Sequence, residues 1–260
     1  MSSTNGKQFL KTAVLQPRLM RVWSSEGVGK TSLAAQVTAP EAEDPYLMHY
    51  FNWDHGLERA HKALTKRGHL EAFNIYTYSW PRTGNVEEED ALAMLSTWED
   101  NWITALESCE ENNGGVLVLD TETHWTEIAT IVKTNAALRQ RMAKRTKEKF
   151  GATNEVQRLD YGPRNAYIER TILSVREIPN TYLVAISRVA DEYQGNQPTG
   201  KKIPKGYRDL GSMVDFGVSI RRLKEGARVY TVEQDKFHDE NVGAEFEDVT
   251  WDELRAELWG

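Results

Sequence analysis

The chain has 260 residues, a formal net charge of −7 and a hydrophobic fraction of 40%. This length supports one sizeable α/β core and leaves little room for a second full domain. No apolar stretch approaches the ~20 residues that span a bilayer, and the polar residues 1–16 lack the apolar region of a signal peptide. We therefore expect a cytoplasmic protein without a membrane partner. The single cysteine, Cys109, excludes an internal disulfide and is expected to be buried on a helix.

The charges are distributed unevenly along the chain. Residues 87–112 contain nine acidic residues and no Lys or Arg, whereas residues 133–149 contain seven basic residues and one acid, Glu148. This asymmetry predicts that the two ends of the molecule face different partners.

The first half of the chain predicts alternating strands and helices. Leu19 to Trp23 forms an apolar run, and a long apolar and aromatic run follows at 46–53, as is typical of buried parallel strands. Five apolar residues recur at three- or four-residue steps within 87–112 and predict the buried face of a helix: Leu92, Leu95, Trp98, Trp102 and Leu106. The predicted elements are strands at 19–23, 46–53 and 73–80 and helices at 32–38, 56–67 and 87–112.

The second half continues the same alternation. Four aliphatic residues ending in Asp predict a central strand at 116–120, and a second buried strand is predicted at 181–187. Helices are predicted at 125–150 and 163–177, and the polar Gly/Pro-rich segment 188–211 indicates a mobile loop. An antiparallel hairpin at 215–222 and 228–234 is expected at the sheet edge. Thr250 and Glu253 form a capping box that begins a last helix.

A glycine-containing loop lies between the first strand and the first helix. Its backbone N–H groups and the following helix suit a phosphate group. Lys30 is expected to bridge the β and γ phosphates and Thr31 to offer its hydroxyl to Mg²⁺, as in the Walker A motif. Ser24 stands where that motif usually has its first Gly, and the alternative is a chance Gly-Lys-Thr in an ordinary turn. The predicted nucleotide-contacting residues of the loop are Ser25, Glu26, Gly27, Val28, Gly29, Lys30, Thr31 and Ser32.

Asp120 ends the most aliphatic of the predicted strands. A carboxylate at the C-terminal end of a central parallel strand reaches toward a nucleotide and holds Mg²⁺ through water. The alternative is an Asp that only caps the following helix. We predict Thr31 and Asp120 as the metal site and ATP with Mg²⁺ as the cofactors.

Four segments together resemble the core of RecA-like P-loop ATPases. They are 26–33, the strand end Val118-Leu119-Asp120-Thr121, the tetrapeptide Asp160-Tyr161-Gly162-Pro163 and the segment 199–206 before Asp215. Within that superfamily the chain looks most like the small phage-encoded ATPases of single-strand annealing and recombination. The resemblance covers about residues 17–237, and only the first motif is specific by itself.

This resemblance implies an α/β fold with a RecA-like P-loop NTPase core: a mainly parallel central sheet flanked by helices, with a C-terminal antiparallel hairpin. It implies a tail at 1–16 and a single ATPase domain at 17–260. It also implies DNA-stimulated ATP hydrolysis, a homo-oligomer in the form of a ring or filament, and single-stranded DNA as partner. A single-strand-binding or annealing protein is a further expected partner, and the compartment would be the cytoplasm of a bacterial host.

The catalytic carboxylate is not fixed by the resemblance. RecA-like enzymes place it just beyond the second strand, where Asp54 and Glu58 are the candidates, and Glu122 after the metal-holding Asp is a third. Glu58 has the structural alternative of pairing with Lys62 one helical turn away. Ser187 is a candidate γ-phosphate sensor. Lys201, Lys202, Lys205 and Arg208 are candidates for a charge-stabilising finger that acts across a subunit boundary.

Two basic segments fall where RecA-like proteins carry their DNA-contacting loops. Clustered Lys and Arg residues neutralise phosphates and release counterions. The alternative for 133–149 is a solvated helix face. The predicted DNA-binding residues are Arg139, Arg141, Lys144, Arg145, Lys147, Lys149, Lys201, Lys202 and Lys205.

Two other functions remain open from the sequence. A phosphotransferase such as a nucleotide kinase would use the same loop, but it would need a lid with several Arg residues, and 188–211 contains mainly Lys. A loader or accessory protein that uses ATP as a conformational switch is the other alternative.

Overall fold

A central eight-stranded sheet dominates the computed structural model, which describes residues 17–66, 74–80, 86–145 and 158–259. Six neighbouring strands, from β8 to β3, run parallel, and β9 and β10 are added antiparallel at one side. The sheet order is β10-β9-β8-β1-β5-β4-β2-β3. The strands are β1 (Leu19–Trp23), β2 (Leu47–Asn52), β3 (Asn74–Ser79), β4 (Gly115–Asp120), β5 (Thr181–Ser187), β6 (Val189–Gln194), β7 (Gln197–Pro204), β8 (Phe216–Arg222), β9 (Arg228–Asp235) and β10 (Glu245–Glu247).

Helices cover both faces of this sheet. The described helices are α1 (Lys30–Ala34), α2 (Leu57–Lys66), α3 (Glu88–Glu111), α4 (Glu122–Arg145), α5 (Gly162–Ser174), α6 (Leu210–Met213) and α7 (Trp251–Trp259). One core lies between the sheet and α1 and α7, and the other lies between the sheet and α3, α4 and α5. The predicted α/β class, the mainly parallel sheet and the C-terminal antiparallel hairpin are confirmed.

Burial on both faces explains why the central strands are continuous apolar runs. Every residue of β2, β4 and β5 is buried. Within β4, Val116 and Val118 pack into one core, whereas Leu117 and Leu119 pack into the other. Because side chains alternate between faces, a strand covered on both sides needs apolar residues at consecutive positions.

The buried face of α3 differs from the prediction at one residue. Leu95, Trp98 and Trp102 are buried as expected, but Leu92 is 57% exposed. The buried stripe begins instead at Ala91 and continues at three- or four-residue steps through Ala105. Small residues were overlooked in the predicted pattern because their apolar character is weak. Cys109 ends the stripe and is buried as predicted.

Several predicted boundaries differ from the structure. Helix α1 begins at Lys30 rather than residue 32 and ends at Ala34, and α4 begins at Glu122 rather than residue 125.

The predicted mobile loop at 188–211 instead contains the antiparallel pair β6 and β7. Gly195, with φ of 63°, and Asn196 form its tight turn. Gly-Asn between two short strands is a known signal for a β-hairpin, so this hairpin was predictable from the sequence.

The described parts of the two oppositely charged segments are in contact with each other. Lys133 on α4 pairs with Glu99 on α3 at 2.9 Å, and Arg139 pairs with Glu88. The acidic and basic residues of these pairs therefore lie on two neighbouring helices rather than at two ends of the molecule, and the different partners stay a prediction.

Other expectations have definite outcomes in the described part of the chain. The capping box is confirmed, because Thr250 N donates to Glu253 Oε2 at 2.7 Å and Glu253 N donates to Thr250 Oγ1 at 3.3 Å. No described helix has the length and apolar character needed to cross a membrane. The predicted tail at 1–16, the residues Lys147 and Lys149, and the side chains of Lys144 and Arg145 lie outside what the structure describes.

His49 on β2 is a buried titratable residue in the sheet. It is 1% exposed, its Nδ1 lies 3.0 Å from the Tyr78 hydroxyl, and its ring stacks on Tyr76 with centroids 5.0 Å apart. Burial lowers the pKa of His49 from 6.5 to about 4, because the charged imidazolium loses hydration.

This lowered pKa predicts a specific loss of stability in acid. Between pH 6.5 and about 4 the unfolded chain binds a proton that the folded chain excludes. Wild type should therefore lose roughly 3 kcal/mol more unfolding free energy than His49→Phe when the pH falls from 7 to 4. Urea unfolding at both pH values measures this difference, and parallel losses in the two proteins would contradict it.

Candidate functional site

The loop between β1 and α1 wraps around the amine of Lys30. Lys30 is 8% exposed, and its Nζ donates to the carbonyl oxygens of Ser24 and Ser25 at 3.0 and 2.9 Å. Gly27 and Gly29 have φ of 72° and 115°, values that glycine adopts without strain. Burial lowers the pKa of Lys30, and the carboxylates of Asp120, Asp54 and Glu26 oppose that shift. The loop therefore presents one desolvated positive charge.

The other predicted loop residues differ in their exposure. Ser25, Glu26 and Gly27 are exposed, and Val28 packs into the core beside α1. Thr31 and Ser32 are the second and third residues of α1.

Asp120 lies at the carboxyl end of β4, and its carboxylate contacts Thr31. Thr31 Oγ1 donates to Asp120 Oδ2 at 2.7 Å, and the hydroxyl of Tyr50 donates to the same oxygen at 2.6 Å. Asp120 is 2% exposed, and its burial raises its pKa while both hydroxyl donors lower it. These contacts join three segments that are far apart in the sequence.

The backbone of Gly56 approaches this carboxylate closely. A Cβ on Gly56 would lie 2.9 Å from Thr31 Oγ1 and 3.0 Å from Asp120 Oδ2. A side chain here would crowd the two oxygens that were predicted to hold the metal ion. Asn52 Oδ1 accepts from Gly56 N at 3.1 Å and fixes the glycine in this position.

Asp54 lies next to the loop and is paired with an arginine. Arg188, just after β5, donates from Nη2 to Asp54 Oδ1 at 2.6 Å, and the same nitrogen lies 3.9 Å from Glu26 Oε1. The charges of Asp54 and Arg188 both influence the pKa of Lys30, in opposite directions. Asp54 is therefore brought into the Lys30 site, with Arg188 between it and the exposed loop residue Glu26.

Glu122 faces a different partner. Its Oε1 accepts from Arg21 Nη2 at 2.7 Å, and Arg21 Nε donates to Ser187 Oγ at 2.7 Å. Glu122 and Ser187 have no exposed surface and Arg21 is 4% exposed. Burial raises the pKa of Glu122 to about 7, against the opposing charge of Arg21. The contacts of Glu122 and Ser187 are those of a buried structural network; their catalytic and sensing roles stay predictions.

Gly206 shows how tightly this network is packed. Its φ is 131°, and a Cβ there would lie 2.1 Å from Glu122 Oε2. The backbone that follows β7 therefore runs directly over the Glu122 carboxylate.

The β6–β7 hairpin is attached at its base to the start of α4. Thr123 Oγ1 donates to the carbonyl of Lys205 at 2.8 Å and accepts from the backbone N of Arg188 at 3.1 Å. Lys205 N in turn donates to the carbonyl of Arg188 at 2.6 Å. The residue that pairs with Asp54 is thus also the first residue of the hairpin's base.

Within the described ranges, the remaining predicted residues make no hydrogen bond to Lys30, Thr31 or Asp120. Glu58 is exposed in the first turn of α2. On the hairpin, Lys201 is exposed, Lys202 pairs with Asp191 at 2.6 Å and Lys205 pairs with Glu127 at 2.9 Å. Arg208 is exposed before α6.

On α4, Arg141 binds buried Asp160 through two hydrogen bonds, of 2.9 and 2.8 Å. Lys133 and Arg139 are paired with α3, as described above. Arg141 therefore has a structural role that the sequence did not suggest.

Several residues of the site were missed by sequence reasoning. Tyr50 and Gly56 complete the surroundings of Asp120, Arg21 holds Glu122, and Arg188 holds Asp54. Tyr50 is separated from Asp120 by 70 residues and Arg21 from Glu122 by 101. Only the polar character of Arg21 within an apolar strand was a visible signal, since a buried charge requires a partner.

Comparison of the sequence with protein-family models finds no match, and comparison with curated proteins finds none either.

Tyr50→Phe should destabilise the protein because Asp120 loses one of its two hydroxyl donors in a buried position. We expect a loss of about 1–3 kcal/mol in the free energy of unfolding, measured by urea titration at pH 7. Tyr182→Phe is the matched control: Tyr182 donates at 2.9 Å to the carboxylate of Glu41, which is exposed and can bind water instead. Its expected loss is below about 1 kcal/mol. Equal losses for both variants would contradict the assignment.

Proposed function

We propose that the chain is an ATP-hydrolysing, DNA-handling protein with a RecA-like P-loop core, of the phage recombination and single-strand-annealing type. In this proposal it binds single-stranded DNA as an ATP-coupled homo-oligomer. The proposal rests on the loop that surrounds the Lys30 amine. Thr31, the residue after Lys30, is hydrogen-bonded to Asp120 at the end of β4. A buried amine and a hydroxyl–carboxylate pair at the carboxyl edge of a parallel sheet suit a nucleotide phosphate with its metal ion.

The oxygen donors present fit Mg²⁺. Thr31 and Asp120 offer a hydroxyl and a carboxylate, and Gly56 adds no side chain that would crowd these two oxygens. Mg²⁺ commonly uses one or two protein oxygens and takes its other ligands from water and substrate phosphates. When bound there, the ion would neutralise charge on the β and γ phosphates.

Lys30 supports the proposal through its charge and its donors. An ammonium group has three donors, and two of them already fix its position on the Ser24 and Ser25 carbonyls. Its third contact, with Ser24 Oγ, is longer at 3.3 Å and is the one that a phosphate oxygen would replace. Because the amine is partly desolvated, its attraction for a phosphate is stronger than that of an exposed lysine.

Asp54 is the best placed of the three candidate bases, because it lies beside Lys30 and Asp120 whereas Glu122 faces Arg21. A general base must reach the attacking water, and geometry decides first. Asp54 is now bound to Arg188, so hydrolysis requires Arg188 to leave it. A γ-phosphate between Lys30 and Arg188 would attract the guanidinium and stabilise charge that develops during transfer.

The DNA part of the proposal rests mainly on the β6–β7 hairpin. It is a separate two-stranded sheet whose exposed residues include Lys201 and Lys202. The pairs of Lys202 and Lys205 with carboxylates are exposed and therefore weak, so phosphates of a single strand can compete for these lysines. Arg188 and Thr123 link the hairpin's base to the Lys30 site.

A second candidate function is an ATP-switched loader or accessory protein. It is favoured by the engagement of two candidate bases in ion pairs, Asp54 with Arg188 and Glu122 with Arg21. Tight nucleotide binding with very slow turnover is expected in that case.

An ATPase assay with Mg²⁺, with and without a single-stranded oligonucleotide, tests the proposal. Wild type should hydrolyse ATP faster with DNA, and Lys30→Ala should reduce the rate about 100-fold or more, since it removes a preorganised cation from the transferred phosphate. Lys236→Ala, which removes an exposed lysine bound to the Ser212 carbonyl, is the control and should retain the wild-type rate.

Two results would contradict the proposal. Hydrolysis without any response to DNA, in a protein that binds no oligonucleotide at low salt, would exclude the recombination function. Phosphate transfer to a nucleoside monophosphate rather than to water would indicate a kinase.

A further inference from the structure

Arg228 reaches the Lys30 loop from the C-terminal hairpin. Strand β8 runs parallel to β1, with Trp23 opposite Ser219, and β8 continues three residues further to Arg222, which pairs with Arg228. Three residues of strand correspond to about 10 Å. The first residue of β9 therefore lies beyond the end of β1, alongside the loop that follows it.

The Arg228 side chain lies against the glycine that precedes Lys30. A Cβ on Gly29 would lie 2.9 Å from Arg228 Nε and 3.2 Å from its Cζ. Gly29 therefore has two reasons to be glycine: its φ of 115° and the close approach of this guanidinium.

The backbone of Arg228 is held on both sides by one residue. Arg228 N donates to Asp248 Oδ1 at 3.0 Å, and Asp248 N donates to the carbonyl of Arg228 at 2.8 Å. Within the described ranges the guanidinium of Arg228 makes no ion pair with a carboxylate. This contrasts with Arg221 on the same hairpin, which pairs with Glu245 at 2.9 Å.

A second arginine increases the positive charge at this place. Arg222 is directly opposite Arg228 in the antiparallel ladder, so both side chains project from the same face. Like charges in this arrangement repel each other, and a bound anion would relieve the repulsion. Arg222 Nε donates to the carbonyl of Gly226 at 3.2 Å, and a neutral carbonyl does not neutralise the guanidinium charge.

We propose that Arg228 binds the phosphate chain of the nucleotide from the side opposite to Asp120, within the same subunit. This inference rests on the proposed nucleotide site and adds a binding residue to it. A guanidinium presents a planar set of donors that suits a phosphate group, and Arg228 holds this set beside the backbone of Gly29.

The order of strands indicates which phosphate Arg228 meets. Asp120 and Asp54 follow β4 and β2, on one side of β1, whereas Arg228 begins β9, on the other side. The terminal phosphates belong with the predicted metal oxygens of Thr31 and Asp120. The phosphate next to the nucleoside therefore lies toward Arg228, and ATP and ADP both contain it.

Isothermal titration calorimetry with Mg²⁺ and either ATP or ADP tests this inference in wild type, Arg228→Ala and Arg228→Lys. Arg228→Ala should weaken both nucleotides about 10- to 100-fold, by an equal factor. The affinity of Arg228→Lys for both nucleotides should lie between those of wild type and Arg228→Ala, because lysine keeps the charge without the planar donors. The control is Arg221→Ala, which removes the same charge from the same hairpin and should bind as wild type does.

Each outcome decides for or against the contact. If wild type binds nucleotide and Arg228→Ala binds ATP and ADP equally tightly as wild type, the inference is wrong and the proposed function stands. A loss for ATP alone, or an equal loss in Arg221→Ala, also overturns it. If wild type binds neither nucleotide, the proposed function fails as well. If Arg228→Ala lacks the thermal unfolding transition of wild type, the affinity of Arg228→Lys for the nucleotides decides. A weakened affinity supports the inference, and an unchanged affinity overturns it.

Discussion

The carboxylate of Asp120 is buried almost completely, and the candidate site depends on the hydrogen bonds that this carboxylate accepts. A buried carboxylate is costly unless hydrogen-bond donors or a cation compensate it. Two hydroxyls, from Thr31 after the loop and from Tyr50 on β2, meet the same oxygen. They join the loop, β2 and β4 at one edge of the sheet, and Gly56 places no side chain against these oxygens. We propose that the arrangement that stabilises this edge also receives a metal ion.

The fold was predictable where one physical requirement dominates. Strands β1, β2, β4 and β5 are apolar runs because both faces of the sheet are covered, and their positions agree with the predictions within one residue. The β6–β7 hairpin was predicted as a loop because its Gly, Pro and Lys residues have low strand propensity, and pairing across Gly195 outweighs that propensity. The exposure of Leu92 depends on which side of α3 meets the sheet, which the periodicity of large residues alone does not define.

The residues of the candidate site were predictable only in the loop before α1 and at the end of β4. Lys30, Thr31 and Asp120 were found because each occupies a fixed position relative to a local motif. Tyr50 and Arg188 were not found, because their importance arises from contacts between strands that are distant in the sequence. The ion pairs of Lys133, Arg139 and Arg141 were not predictable for the same reason, because their partners Glu99, Glu88 and Asp160 come from elsewhere in the fold.

The affinity for ATP, measured with Mg²⁺ and with excess EDTA in wild type and Asp120→Asn, tests the central claim most directly. If the Thr31–Asp120 pair holds the metal ion of a bound nucleotide, Mg²⁺ should strengthen ATP binding to wild type by about 10-fold or more, and Asp120→Asn should lose most of that gain. Wild type that binds no ATP with Mg²⁺, or an Asp120→Asn protein with an undiminished response to Mg²⁺, would contradict the account.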